Sequence, residues 1–449
     1  MTQTMTYGGH AKAVLILGLP LIGSHIAQMA IGMTDTVMMG WYGVPDLAAM
    51  VLASSMFFLL LIVGSGFAFA VMPMVANAVG AGDDMQVRRV TRMGLWASAL
   101  YAVLALPLMW WSKAILLALG QEPVVAGLAQ DYLRITGFGL FPSLFVMVIK
   151  SYLAALERAQ IVLWVTVAGA ILNGVLNYAL IFGHWGAPEL GIRGAAIASV
   201  MMPLVSMPML MIYIARNMPE HALFQRIWRF DPAAFGRVFR LGLPIGLTNL
   251  SETALFSATA IMMGWVGTLE LAAHGIALQW TAVAFMVHVG LSNAATVRAG
   301  RAVGRADAAG LRRGGIATLV LALTLSCVAV LLFLSLPEQM ISVFLDDAEP
   351  ARDQIISIGV GLLAMAALFH VADSTQVVAL GLLRGVQDVR VPLIMAVISY
   401  WVVGIPAGYL FGFVWGYGAV GIWMGLVCGL TLAAVLLNYR FWTINWIKS

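Results

Sequence analysis

Long apolar segments alternate with short charged or turn-rich breaks along this chain, and no other feature constrains its fold as strongly. Of the 449 residues, 62% are hydrophobic and only 10% are charged, whereas soluble domains carry about 25% charged residues. A membrane-spanning helix needs about 20 apolar residues. The pattern therefore predicts an all-α integral membrane protein with twelve transmembrane helices. The predicted spans are 13–41, 47–73, 91–112, 132–154, 161–183, 193–215, 239–264, 272–297, 315–337, 356–381, 391–413 and 418–441.

Lysine and arginine residues fall unevenly on the two sides of this predicted topology. With a cytoplasmic N-terminus, 20 of the 24 cationic residues, Lys448 among them, lie inside and 4 lie outside. Cytoplasmic loops carry such an excess of cationic residues. We therefore expect a multi-pass protein of the bacterial inner membrane with both termini in the cytoplasm. The same orientation explains the net charge of +4 without a nucleic-acid partner.

The sequence repeats itself at an offset of 224 residues. This offset contains six spans, so we expect two six-helix lobes of equal topology, related by a pseudo-two-fold axis along the membrane normal. The expected lobes are 1–215 and 239–449, joined by a cytoplasmic loop at 216–238. Such lobes enclose a cleft that binds substrate and alternates its opening. The matched segments include Leu17-Gly18-Leu19-Pro20 with Leu241-Gly242-Leu243-Pro244, Met38-Met39-Gly40-Trp41 with Met262-Met263-Gly264-Trp265, and Asp83 with Asp307.

Three carboxylates lie deep in the predicted spans, and they are the strongest indication of function. They are Asp35, Glu252 and Asp373, and no arginine or lysine is expected at comparable depth. A charged side chain at the bilayer centre is disfavoured by roughly 2.5–3.5 kcal/mol on insertion scales. A desolvated carboxylate without a cationic partner is therefore expected to take up a proton or a metal cation. The structural alternative for each is a protonated carboxyl that hydrogen-bonds a neighbouring helix.

Two asparagines in the fifth span are candidates to support Asp35. Asn173 and Asn177 are four residues apart and therefore share one face of a helix. With Asp35 they can form a hydrogen-bonded cluster. Interhelical packing is the alternative role for each of these amides.

Other amides accompany the carboxylates of the second half. Gln376 lies three residues after Asp373, on the same helical face, and Asn249 lies near Glu252. At the repeat offset, Gln28 takes the position of Glu252. The substitution keeps the polarity and removes the charge, so the cation site need not be duplicated.

Prolines and histidines provide weaker signals. Pro20 and Pro244 are each expected to kink a helix and free backbone carbonyls near the cleft, or simply to kink it for packing. Three histidines lie deep in predicted spans, and no two of them have metal-ligand spacing; packing is favoured over a proton relay for each. They are His25, His288 and His370, of which His370, three residues before Asp373, is the best relay candidate.

Several motifs occur together in this chain over essentially its whole length. Besides the two six-helix repeats, they are Pro20 fifteen residues before Asp35, the run Asp35-Thr36-Val37-Met38-Met39-Gly40, Glu252, and Asp373-Ser374-Thr375-Gln376. In this combination the chain resembles the MATE (multidrug and toxic compound extrusion) exporters, specifically their NorM-type branch. The resemblance implies export of organic cations, dyes and fluoroquinolone-like drugs, driven by inward Na⁺ or H⁺.

The resemblance also implies roles for particular residues. In that branch, acids of the seventh and tenth spans form the cation site of the second lobe, matching Glu252 and Asp373; these are the metal ligands if the coupling ion is Na⁺. The acid of the first span and the asparagines of the fifth form a first-lobe cluster, matching Asp35 and the asparagine pair. Some relatives place a tyrosine four residues before the tenth-span aspartate. Here that residue is Phe369, which has no hydroxyl, so Na⁺ versus H⁺ stays open.

We therefore expect a secondary active antiporter that exports cationic or zwitterionic amphiphiles in exchange for Na⁺ or H⁺ by alternating access of two lobes. It is expected to be a monomer and not an enzyme, with no cofactor beyond the coupling ion. The main alternative is a flippase for a lipid-linked saccharide with the same two-lobe plan. Such a flippase needs several cations in its cleft, whereas this sequence has three carboxylates there. A membrane scaffold without transport activity is a further alternative.

Overall fold

Twelve long helices dominate the computed structural model, which describes residues 5–346 and 349–447. Lys448, counted above among the inner cations, lies outside these residues. The predicted all-α, twelve-helix fold is confirmed. The helices are α1 (Tyr7–Tyr42), α2 (Val44–Ala81), α3 (Asp84–Trp110), α4 (Pro123–Ala155), α5 (Ala159–Phe182), α6 (Ile192–Asn217), α7 (Pro232–Val266), α8 (Thr268–Gly304), α9 (Ala308–Ser335), α10 (Arg352–Gly385), α11 (Arg390–Val414) and α12 (Gly418–Thr443).

Eleven of the helices in the described ranges are long and apolar enough to cross a membrane. The remaining long helix, α7, is not among these eleven; it carries Arg237 and Arg240 near its start and Glu252 in its middle. Helix α11 is not regular. Its residues Ile398–Gly404 and Leu410–Val414 are π-helical, a distortion that is often found at functional sites.

The helices pack as two compact units. One unit is Gly23–Gly246, and the other contains the chain up to Ile22 together with the residues from Leu247 onward. Helices α1 and α7 therefore each change unit along their length, shortly after Pro20 and Pro244, which lie inside these continuous helices. The units are defined by packing and the predicted lobes by sequence repeat, so the lobe boundaries stay a prediction.

The sequence repeat reappears in one close helix contact of each unit. A Cβ atom on Gly66 of α2 would lie 2.2 Å from the carbonyl oxygen of Gly242 in α7. At the equivalent position of α8, a Cβ on Gly290 would lie 2.9 Å from the backbone nitrogen of Ile22 in α1. Only glycine allows two helices to approach this closely. Each unit thus holds the start of one repeat's first helix against the other repeat's second helix.

The predicted loop 216–238 is shorter in the structure, and it is held in place. Helix α7 begins at Pro232, and the preceding segment is bound to α3: Arg92 Nε donates to the Leu223 carbonyl (2.7 Å) and Trp96 Nε1 to the Ile227 carbonyl (2.9 Å). The hydrogen bond from the Arg89 guanidinium holds the pKa of the Asp231 carboxyl below its usual range. These contacts all lie within the Gly23–Gly246 unit.

Candidate functional site

In the Gly23–Gly246 unit, Asp35 is joined to two buried amides. The predicted asparagine pair lies on α5, and Asn177 connects it to α1. Asn177 Nδ2 donates to Asp35 Oδ1 at 2.5 Å and to Asn173 Oδ1 at 3.2 Å. Both asparagines are fully buried, whereas Asp35 is half-buried. The amide partners are neutral, so they orient the carboxylate and leave its negative charge uncompensated.

Asp35 also lines a cavity of about 490 Å³ in this unit. The volume lies in the range of small-molecule sites, about 300–1,000 Å³. Its wall is mainly apolar and includes aromatic and methionine side chains, which suit an amphiphilic ligand. The residues that line it include Gln28, Asp35, Phe57, Phe58, Tyr132, Met147, Lys150, Ser199 and Met202.

Lys150 is a cationic side chain in the lining of this cavity. The sequence had placed it at the cytoplasmic edge of the membrane. Its position on α4 allows Nζ to donate to Thr166 Oγ1 at 2.8 Å. The long aliphatic stem of lysine lets the ammonium group reach well away from its own Cα. A carboxylate and an ammonium group therefore line one cavity of this unit.

In the other unit, Asp373 on α10 is fully buried and faces two histidines. Its Oδ2 lies 3.4 Å from His288 Nδ1 on α8. The His288 and His370 rings are 5.5 Å apart between centroids, and both residues are at most 1% exposed. One ligand atom from each of the three residues lies within 4.8 Å of the others. Sequence spacing related His370 to Asp373 on one helix, but it gave no sign of His288, which lies on another helix.

Gln376, three residues after Asp373 on α10, hydrogen-bonds Glu252 and a tyrosine. Its Nε2 donates to Tyr400 Oη at 2.6 Å and to Glu252 Oε1 at a longer 3.5 Å. Glu252, on α7, is half-buried and close enough to Asp373 for the two carboxylates to interact electrostatically. Tyr400 is fully buried in the π-helical part of α11. Sequence reasoning missed this tyrosine, although a polar ring inside a span was a usable signal.

A partly buried arginine, Arg384, lies near Glu252. Arg384, in the last turn of α10, donates from Nη2 to Asn249 Oδ1 at 2.7 Å and interacts electrostatically with Glu252. The expectation that the deep carboxylates have no cationic side chain nearby is therefore wrong for Glu252. The orientation rule placed Arg384 at a cytoplasmic helix end, and its reach from there to Glu252 could not be read from the sequence.

The remaining predicted residues occupy different surroundings. Phe369 is 1% exposed and packs against Phe256 and Trp423, with ring centroids 6.0 and 5.9 Å away. Gln28, at the position equivalent to Glu252, is exposed at the cavity of the Asp35 unit. The predicted residues are thus divided between two separate clusters, one in each unit.

Comparison with known proteins agrees with this architecture. A family model described as MatE matches residues 20–179 and 244–410. The chain is 45% identical over 437 residues to a protein of Rhizobium meliloti named "Probable multidrug resistance protein NorM", covering 97% of this chain and 94% of that protein. A protein of Agrobacterium fabrum with the same name is 44% identical over 434 residues, covering 96% and 93%.

Solved structures show the same fold at low sequence identity. One is described as the outward-facing conformation of a multidrug resistance MATE family transporter of the MOP superfamily. It matches with a TM-score of 0.88 at 20% identity, covering 98% of this chain and 97% of that chain. The resemblance inferred from the motifs is confirmed, and the chain belongs to the MatE family of multi-pass membrane transporters.

Proposed function

We propose that this protein is a secondary active multidrug efflux antiporter of the bacterial inner membrane, with both termini in the cytoplasm. It exports cationic or zwitterionic amphiphiles in exchange for Na⁺ or H⁺ by alternating access. The observation that carries the proposal is the difference between two carboxylate sites: Asp35 lines a ligand-sized cavity, whereas Asp373 lies in a closed cluster. The naming of the relatives as probable multidrug resistance proteins agrees with it.

The cavity beside Asp35 is the proposed drug site. The carboxylate, oriented by Asn177, attracts a cationic group, and the apolar wall accepts the body of an amphiphile. Lys150 on the same wall offers an ammonium group to a substrate carboxylate. A cavity with one group of each sign therefore suits zwitterions as well as cations, with Gln28 and Asn173 as supporting polar groups.

The cluster around Asp373 is the proposed site of the coupling ion. Asp373 has no exposed surface, so only an ion as small as a proton or Na⁺ fits beside it without rearrangement. Glu252 is more exposed than Asp373, and the two carboxylates interact electrostatically. Binding of one cation there neutralises one carboxylate, which changes the relative stability of two transporter conformations.

Exchange follows from coupling between the two sites. If the ion and the drug favour opposite conformations, each lowers the other's affinity, and linkage requires this effect to be reciprocal. Helices α1 and α7 each change packing unit just beyond Pro20 and Pro244. These helices are therefore the proposed elements that bend during the switch.

The proposal is tested by ethidium efflux from membrane vesicles with Na⁺ and pH gradients imposed separately. Glu252→Gln and Asp373→Asn remove the proposed ion-binding charges, and each is expected to lower gradient-driven efflux more than about tenfold, a loss equivalent to about 1.4 kcal/mol or more. The gradient that drives the unmodified protein identifies the coupling ion.

Matched controls are Glu338→Gln and Asp353→Asn, which change exposed carboxylates, the latter on the same helix as Asp373. Both controls are expected to transport as the unmodified protein does. Near-normal efflux in Glu252→Gln and Asp373→Asn would remove the proposed mechanism.

A further inference from the structure

We propose that His288, His370 and Asp373 form a binding site for a divalent transition-metal ion of the Zn²⁺ type. The inference goes beyond the proposed exchange of Na⁺ or H⁺, because it concerns another class of ion and does not require transport. Its basis is the juxtaposition of two imidazoles and one carboxylate inside a single unit. Two histidines and one acid are a common ligand set for zinc.

The distances within the cluster fit such an ion closely. Zinc binds histidine nitrogen and carboxylate oxygen at about 2.0–2.2 Å, so tetrahedral ligand atoms lie roughly 3.3–3.5 Å apart. His288 Nδ1 and Asp373 Oδ2 already lie 3.4 Å apart. All three ligand atoms lie within 4.8 Å of one another. Movements of at most about 1.4 Å therefore bring all three ligand atoms to tetrahedral spacing.

The ligand atoms are available. Within the described residues, both ring nitrogens of His370 and Oδ1 of Asp373 have no hydrogen-bond partner, although both residues are fully buried. Gln376 Oε1, in the same region, also has none. Buried polar atoms are normally paired. An ion that accepts electron pairs from these nitrogens and oxygens would satisfy several of them at once.

The charges and the donor types also favour this class of ion. The positive charge of the metal would be attracted by the carboxylates of Asp373 and the nearby Glu252, which interact with each other electrostatically, while Arg384 offsets part of the negative charge of Glu252. Imidazole ligands suit zinc, cobalt and nickel, whereas sodium, magnesium and calcium prefer oxygen.

The test is a titration of the purified full-length protein, isolated with an affinity tag that contains no histidine, with Co²⁺. Tetrahedral Co²⁺ has visible absorption bands, so binding is seen directly. We expect one equivalent to bind, Zn²⁺ to displace it, and His288→Gln and His370→Gln each to abolish the bands. His274→Gln is the matched control, because this buried histidine accepts a hydrogen bond from Trp423 instead (3.0 Å) and its loss should leave the bands unchanged.

Two results would overturn the inference: no tetrahedral bands in the unmodified protein, or bands that persist when both cluster histidines are replaced. The first does not depend on any variant folding correctly. Failure of the antiport proposal is distinguishable, since a protein that binds Co²⁺ but shows no gradient-driven ethidium efflux contradicts only that proposal. A protein that transports ethidium and binds no Co²⁺ contradicts only this one.

Discussion

The carboxylate of one packing unit and the carboxylates of the other occupy opposite kinds of surroundings. Asp35 accepts a hydrogen bond from the neutral amide of Asn177, which also donates to Asn173, and it lines a cavity large enough for a drug. Asp373 is fully buried beside two histidines and near a second acid, with Arg384 acting on that acid. Helices related by sequence repeat therefore carry two different sites.

This contrast explains how a repeated fold can couple two ligands. A half-buried acid on a cavity wall can meet an organic cation without a large rearrangement. A closed cluster of titratable groups excludes organic molecules by size, which supports the proposal of a small ion as its ligand. The two repeats have similar helices but differ in charge at equivalent positions, with Gln28 in one and Glu252 in the other.

The largest expected effect separates the two sites by drug affinity. Replacing Asp35 by Asn removes the charge from the cavity wall, and truncating a buried charge partner costs about 2–5 kcal/mol. Affinity for ethidium should therefore fall at least about 30-fold, as measured by fluorescence polarisation with the purified protein. Asp373→Asn should change ethidium affinity less than Asp35→Asn does, because Asp373 lies in the other unit and acts on the drug only through the coupling between the two sites.

The matched control is Asp46→Asn, which changes a carboxylate in the first turn of α2. It should bind ethidium as the unmodified protein does. Equal losses of affinity for Asp35→Asn and Asp373→Asn would break the comparison, since they would mean that both carboxylates act on the drug.

A smaller effect is expected from the amide that orients Asp35. Asn177→Ala removes both of its side-chain hydrogen bonds, and interhelical hydrogen bonds in membranes contribute about 1–2 kcal/mol in model peptides. The free energy of unfolding should fall by about that amount, measured by thermal unfolding in detergent. Asn217→Ala, which removes only a bond to its own helix at an exposed position, should have little effect; a similar loss in both variants would show that Asn177 acts only as a helix residue.

The smallest effect tests what the repeat has preserved rather than changed. Asp83 Oδ1 accepts a hydrogen bond from Gln86 N at 3.0 Å, and Asp307 Oδ1 accepts one from Gly310 N at 2.7 Å. Each caps the start of a helix, so Asp83→Ala and Asp307→Ala should each lower the free energy of unfolding by about 1 kcal/mol. Measured by the same thermal unfolding, costs that differ by more than about 1 kcal/mol would show that these caps are not equivalent.

Sequence reasoning was strongest where one helix carries the information. The i, i+4 spacing of Asn173 and Asn177 set them on one face, and the structure brings that face to Asp35. The joint position of His288, His370 and Asp373 was not predictable in this way. It depends on which helices are neighbours and on their axial register, and the spacing within one helix contains neither quantity.

The cations beside the carboxylates illustrate the same limit. Arg384 and Lys150 were assigned to the membrane edge because a count of cationic residues gives the side of the membrane. It does not give the direction in which a flexible side chain of four or more bonds extends. The hydrogen bonds of Lys150 to Thr166 and of Arg384 to Asn249 were therefore visible only in the folded protein.

The sequence by itself determined the twelve helices, the two-fold repeat and the presence of acids in apolar spans. These follow from hydropathy and periodicity, which are local properties of a chain that must satisfy its own backbone hydrogen bonds in lipid. Only the tertiary structure decided which acid lines a cavity, which is enclosed with two histidines, and which lies near an arginine. Those surroundings are made by residues far apart in sequence, and packing between helices alone brings them within hydrogen-bond distance.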